Sequence, residues 1–261
     1  MMEVSSFLID SHCHIHDDSF AFTKDILEEA KKAGVRQIVC IGTSAEDSEK
    51  AVQFCQENHG CFASIGLHPH DASMGEDDLE VIARLAIESK VVAIGEFGLD
   101  YYYDNSPRKD QLLACEYQMD LAIKFNKPCV FHIRDAFDDF WPVYDNFPGL
   151  KGVIHSFTST KSNITKAVDR GLYLGLNGIM TFTKDASQHE AAKEIPLDNL
   201  LLETDSPFLT PNPLRGKMNV PANVGLVAAY LAELRGEPLD TLIEATTRNT
   251  QRLFSLPDEL I

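Results

Sequence analysis

Eight short apolar runs punctuate the chain: FLIDSH, QIVCIG, CFASIGLH, VVAIGEFG, PCVFHI, GVIHSF, YLGLNG and NLLLETD. They are rich in β-branched residues and nearly continuous in hydrophobicity, the pattern of strands buried on both faces of a sheet. Between them the apolar spacing changes to that of helices, as in Ile26/Leu27/Ala30/Ala33 and Leu112/Met119/Ala122/Ile123. Val224/Val227/Ala228/Leu231/Leu234 continue the pattern, and a last helix is expected to begin near Leu239. Strands alternating with helices mean βαβ units and a parallel sheet. Eight such units in 261 residues match the size of an α/β (β/α)8 TIM barrel, with a doubly wound open sheet as the alternative. No Gly-rich or low-complexity linker interrupts the chain, so residues 1–261 read as a single domain. The stretch SPFLTPNPLRGKMNVPAN after the eighth run carries Pro207, Pro211, Pro213 and Pro221. It reads as a long loop without a helix, and such loops are usually functional.

Composition narrows the setting. Hydrophobic residues make up 44% and charged residues 24%, ordinary for a globular protein. The 23 Lys and Arg against 40 Asp and Glu leave a formal net charge of −17. Such a surface repels polyanions at long range, which argues against non-specific binding of duplexes or membranes by charge. It leaves nucleic acid open as a substrate, because a bound cation reverses the local field. The six cysteines form no C-x-x-C pair, and several lie within strand-like runs. They are expected to be buried, free thiols, since a chain of this size needs no disulfide staples. The N-terminal MMEVSSFLIDSH lacks a basic segment and a long apolar stretch, and no run reaches membrane-span length. A soluble, cytoplasmic protein without an obligate protein partner is the expectation.

In a (β/α)8 barrel the active site lies at the C-terminal ends of the strands. Read in order, those ends present His12 and His14, Gly42 and Thr43, then His68 and His70. Glu96, His132, His155, Asn177 and Asp205 follow. One histidine at a strand end is ordinarily a satisfied polar residue. A His-x-His joined by further imidazoles and carboxylates at matching ends requires another explanation, and divalent metal binding supplies it. His12, His14, Glu96, His132, His155 and Asp205 are too many ligands for one tetrahedral ion. Two ions bridged by a carboxylate would use them, and Glu96, on the central ligand-bearing strand, is the natural bridge. The imidazole content favours Zn, Mn, Fe or Ni over Mg.

His16 falls in HDDS and reads as a turn or cap; Cys13 faces away from the histidines and reads as packing. His59 and His189 read as surface residues. Substrate contacts are expected from His68 and His70, from Arg134 as a phosphate clamp or an ion-pair partner, and from Arg215 and Lys217 on the Pro-rich loop. Tyr101 to Tyr103 offer either aromatic faces for a base or packing.

In this order and spacing, DSHCHI, GLHPHDA, GEFGLDYYYD, FHIRDA, HSFT and ETDSPFLTP…RGKMNVPANV resemble the TatD family of metal-dependent hydrolases, within the amidohydrolase superfamily. The resemblance covers essentially the whole chain. It implies a TIM barrel and a divalent-metal phosphodiesterase, described in family members as a DNase that works from 3′ ends. His12 and His14 match the first-metal histidines, and Glu96 the bridging carboxylate. His132 and His155 match the second-metal histidines, and Asp205 the catalytic aspartate that also touches the first metal. HSFTST stands where the family more often has His-Cys-Phe-Thr-Gly, which changes the local turn and keeps the ligand. The expected reaction is hydrolysis of DNA ends or a small phosphodiester by a metal-activated water, with Asp205 as general base. A small ester, lactone or cyclic amide as substrate, and a non-catalytic metal-binding scaffold, are the alternatives. The resemblance suggests that Mg supports the nuclease reaction, in tension with the imidazole-rich ligand set.

Overall fold

The structure is a computed structural model that describes residues 7–258. The reading of residues 1–6 as free of a targeting segment lies outside the described residues. Eight strands are present: Leu8–Cys13, Val35–Ile41, Cys61–Ile65, Val91–Asp100, Cys129–Arg134, Gly152–Ile154, Tyr173–Leu176 and Leu200–Leu202, numbered β1 to β8. Each falls on one of the eight apolar runs. They stand in one sheet in chain order, β1 to β8. That order is the topology of a (β/α)8 barrel, whereas a doubly wound sheet reverses its order partway. No helix among the described residues is long and apolar enough to cross a membrane.

The chain divides into two compact units, residues 39–155 and residues 1–38 with 156–261. In the first, β3 to β6 pair in parallel register, with Gly98 opposite His132 and Asp100 opposite Arg134. All of β4 except Val92 is buried. Gly95 and Gly98, at φ 139° and 150°, permit this close pairing. A side chain at either would strike the β5 backbone, at the carbonyl of Val130 or of His132. The helix Arg108–Phe125 packs with Met119 and Ala122 buried, as their spacing predicts. Ile123, read as part of the same face, is 48% exposed. The buried face instead includes Gln111 and Gln118, whose amides bond the backbone of Asp100, Ser106 and Leu67.

In the second unit β7 and β8 pair in parallel, and β8 lies against β1. Ser11 Oγ donates to the Leu202 carbonyl at 2.9 Å, Asp205 N to the His12 carbonyl at 2.9 Å, and His14 N to the Ser206 carbonyl at 2.7 Å. The helices Val224–Arg235 and Leu239–Phe254 occur where the apolar spacing places them. Within the latter, Leu242, Ala245, Thr246, Asn249, Thr250 and Leu253 form the buried stripe. The Pro-rich stretch is a loop that closes in a three-residue 3-10 turn, Pro221–Asn223, with proline first because its missing N–H costs nothing there. All six cysteines are buried and form no disulfide.

Candidate metal centre

Two clusters of imidazole and carboxylate stand toward the C-terminal parts of the strands, one in each unit; Glu96, expected at a strand end, lies inside β4, which runs on to Asp100. In the first, His12 belongs to β1, His14 follows it directly, and Asp205 lies three residues beyond β8. Asp205 has φ 58°, in the left-handed region, so the chain turns sharply as it leaves the strand. His12 Nε2 and His14 Nε2 each stand 3.5 Å from Asp205 Oδ1. That is long for a charge-assisted hydrogen bond, yet it is about the separation of two donors held some 2.1 Å from one tetrahedral cation. The two imidazoles meet edge to face, with centroids 5.3 Å apart.

The second cluster gathers on Glu96 of β4. Its Oε1 is 2.7 Å from His155 Nε2, 2.8 Å from His132 Nδ1 and 3.5 Å from His68 Nε2. His132 Nδ1 and His155 Nε2 are also 3.2 Å from each other. Two ring nitrogens so placed cannot both act as donors toward one another, whereas a shared cation accepts a lone pair from each. His68, Glu96 and His132 offer ligand atoms within 4.8 Å of one another. Convergent imidazoles and carboxylates are the donor set of a first-row divalent cation. The residues therefore fit the metal that the sequence implies.

Burial lowers His68 to about 4, with Glu96 opposing the shift, so its ring is neutral near pH 7. The strand β3 ends at Ile65, short of the expected end at His68. Gly66 and Leu67 carry the chain to a 3-10 turn, Pro69–Met74, where His68 is the cap and its Nδ1 accepts from His70 N at 3.1 Å. His16, read as a turn residue, does lie in a turn and is buried. His59 is exposed as expected, but His189 is half-buried, with Nε2 2.9 Å from the Met180 carbonyl.

Three buried carboxylates escaped the sequence reading. Asp100 closes β4, two residues beyond the expected strand end, and is fully buried. Its Oδ2 lies 3.0 Å from both His70 Nε2 and His132 Nε2, and its Oδ1 accepts from the amides of Tyr102 and Tyr103 at 3.0 Å each. Burial alone would raise this carboxyl, but the bonds from His132 and the Tyr103 amide outweigh it and hold the group well below the usual range. Burial likewise disfavours charge on His132, and the bonds to Asp100 and Glu96 overcome it and raise that ring. Asp10, in the middle of β1, accepts from Thr204 N at 2.9 Å and from Thr204 Oγ1 at 2.6 Å; burial pushes it up to about 8. Glu203, also fully buried, accepts from Ser156 N at 2.7 Å and from Asn177 Nδ2 at 3.1 Å. The available signal was parity. Asp10 shares its strand side with His12, and Asp100 shares its side with Glu96.

Of the expected substrate residues, His68 belongs to the second cluster and His70 bonds Asp100, whereas Arg134, Arg215 and Tyr101 make their contacts elsewhere. The Arg134 guanidinium is exposed and stacks over Tyr102 and Tyr103, at 4.2 and 4.9 Å from their ring centroids. Arg215 stacks over Phe182 at 3.9 Å and donates to the Thr210 carbonyl at 3.0 Å. Tyr101 is half-buried: its hydroxyl donates to Asp139 at 2.8 Å and the Arg108 guanidinium covers its ring at 4.0 Å.

Imidazole and carboxylate donors gathered toward the C-terminal parts of the strands of a (β/α)8 fold are those of a metal-dependent hydrolase. The chain belongs to the TatD family: the TatD related DNase family matches residues 9–255. The uncharacterized metal-dependent hydrolase YabD of Bacillus subtilis is 37% identical over 253 residues, covering 95% of this chain and 99% of its own. The 3′-5′ ssDNA/RNA exonuclease TatD of Cronobacter sakazakii is 36% identical over 258 residues, covering 95% and 97%. Among solved structures, the TatD homologue YJJV of Escherichia coli superposes with a TM-score of 0.90 at 30% identity, over 96% of this chain and 98% of its own.

Proposed function

We propose that this chain is a single-domain phosphodiesterase that removes nucleotides from the 3′ ends of single-stranded nucleic acid. One or two divalent ions would be held by His12, His14, Glu96, His132, His155 and Asp205. The observation that carries the reading is the convergence of imidazole and carboxylate donors in each of two clusters. The name of the Cronobacter relative supports the substrate class. A divalent cation held there would supply Lewis acidity. Asp205 orients the attacking water and accepts its proton, while the two histidines beside it fix the position of the carboxylate. His68, neutral and buried beside Glu96, and the exposed Arg134 and Arg215 face the charge that develops on the phosphoryl oxygens. His70 and Tyr101 complete the substrate-side set. The four imidazoles favour Zn, Mn, Fe or Ni as the working ion, with Mg the weaker fit. The acidic surface suits a cytoplasmic enzyme that engages strand ends locally and needs no membrane or obligate protein partner.

The test uses metal-stripped protein reloaded separately with Mg, Mn or Zn and given a labelled single-stranded oligonucleotide. Stepwise shortening from the 3′ end is expected, with a loss of at least 100-fold in Asp205→Asn, on the order of one lost catalytic group. No shortening with any metal, or full activity in the variant, overturns the proposal and moves the search to small esters, lactones and cyclic amides.

A further inference from the structure

We propose that Tyr102 and Tyr103, braced by Arg134, form a nucleobase-stacking subsite. This proposal rests on the single-strand nuclease reading and assigns the residues that distinguish a base-bearing strand from its bare sugar-phosphate backbone. Large aromatic residues ordinarily bury their rings, but Tyr102 and Tyr103 are 60% and 54% exposed. Their rings meet at 87° with centroids 4.9 Å apart, forming an open corner. The Arg134 guanidinium lies over both rings and supports that corner.

The pair is held rigidly at its backbone. Both amides donate to Asp100 Oδ1, and the neighbouring Tyr101 N donates to the Arg134 carbonyl at 2.9 Å. An exposed ring on a fixed backbone loses little freedom when a flat ligand covers it, which is the economy that makes tyrosine effective on binding surfaces. The platform also stands beside the chemistry. Tyr103 meets His70 edge to face at 5.3 Å, and the carboxylate that anchors both tyrosines bonds His132 through its other oxygen. Tyr101 is half-buried, with its hydroxyl bonded to Asp139, so the stacking role falls to its two more exposed neighbours. Every base has a π-face, so such a site tolerates sequence while it requires a base.

The experiment compares two oligonucleotides of equal length. One is intact, and the other carries tetrahydrofuran abasic residues at its three 3′-terminal positions. The ratio of their kcat/KM values is measured for metal-loaded wild-type protein and for Y102A/Y103A, Y102L/Y103L and Y102F/Y103F. Wild-type protein is expected to prefer the intact strand by roughly tenfold or more, the size that stacking one base supplies. The ratio should fall to within about twofold of unity in the alanine pair and persist in the phenylalanine pair, which keeps the π-faces. The leucine pair preserves apolar bulk if alanine impairs folding, and should lose the preference as well. A wild-type ratio near one, or a full preference in folded leucine or alanine variants, overturns the subsite and leaves the nuclease intact. Wild-type protein that shortens neither strand overturns both readings.

Discussion

At the scale of single residues, Asp100 engages two imidazoles, of His70 and His132, and two backbone amides, of Tyr102 and Tyr103. A carboxylate accepting from His132 Nε2 fixes the ring proton there, so the neutral ring presents a lone pair at Nδ1, the atom that faces Glu96. Asparagine at this position can still accept the two tyrosine amides, but it turns an N–H toward His132 and inverts the tautomer. Asp100→Asn is therefore expected to weaken metal binding by roughly 10- to 100-fold. Chelator competition measures this directly, and thermal unfolding of the metal-free variant checks that the fold survives. Affinity within a factor of two of wild type would show that Asp100 does not set the His132 tautomer. Burial raises the thiols of Cys115 and Cys129 far above their ordinary range, because a thiolate has no solvation there. Native protein at pH 8 is accordingly expected to resist a thiol reagent at these positions, while the denatured chain titrates all six cysteines. Rapid labelling of Cys115 or Cys129 in the native state would contradict their burial.

At the scale of elements, the close pairing of β4 and β5 is what delivers Glu96 and His132 together. Gly98 makes that pairing possible, since any Cβ there meets the His132 carbonyl. Gly98→Ala should cost about 3 kcal/mol or more, combining overpacking with an unfavourable φ. Urea unfolding should show the loss, and a midpoint equal to wild type would mean that the strands can part without penalty. Much of this architecture was legible from the sequence. Every strand falls on a short apolar run, and the six metal candidates lie within or just beyond those runs. What was hidden has physical causes. Asp100 sits in Gly-Leu-Asp, which looks like a turn, although the glycine serves close strand contact and β4 continues through it. The helix Arg108–Phe125 places Gln111 and Gln118 inward to bond loop backbones, so its apolar stripe is interrupted and Ile123 lies outside it. Arg134 and Tyr101 found partners several elements away, Tyr102 and Asp139 among them, and no local spacing could reveal those.

At the scale of the whole molecule, the net charge of −17 and the proposed polyanionic substrate oppose each other. A protein that binds DNA along a basic track loses affinity steeply as salt rises, because each phosphate contact releases counterions. On the proposed reading the long-range field repels the strand, and attraction would come only from cations held at the site and a few arginines at short range. Screening acts first on the long-range part: the Debye length falls from about 30 Å at 0.01 M to about 8 Å at 0.15 M ionic strength. Raising monovalent salt over that interval, with the divalent ion held constant, should therefore raise kcat/KM for a single-stranded oligonucleotide by roughly two- to fivefold. A small phosphodiester of single charge feels much less of the field, so its kcat/KM should change by less than the oligonucleotide's. A steep decline with salt for the oligonucleotide would instead mean that several phosphates are neutralised at once. It would place an extended cationic track on a surface that the composition says is acidic.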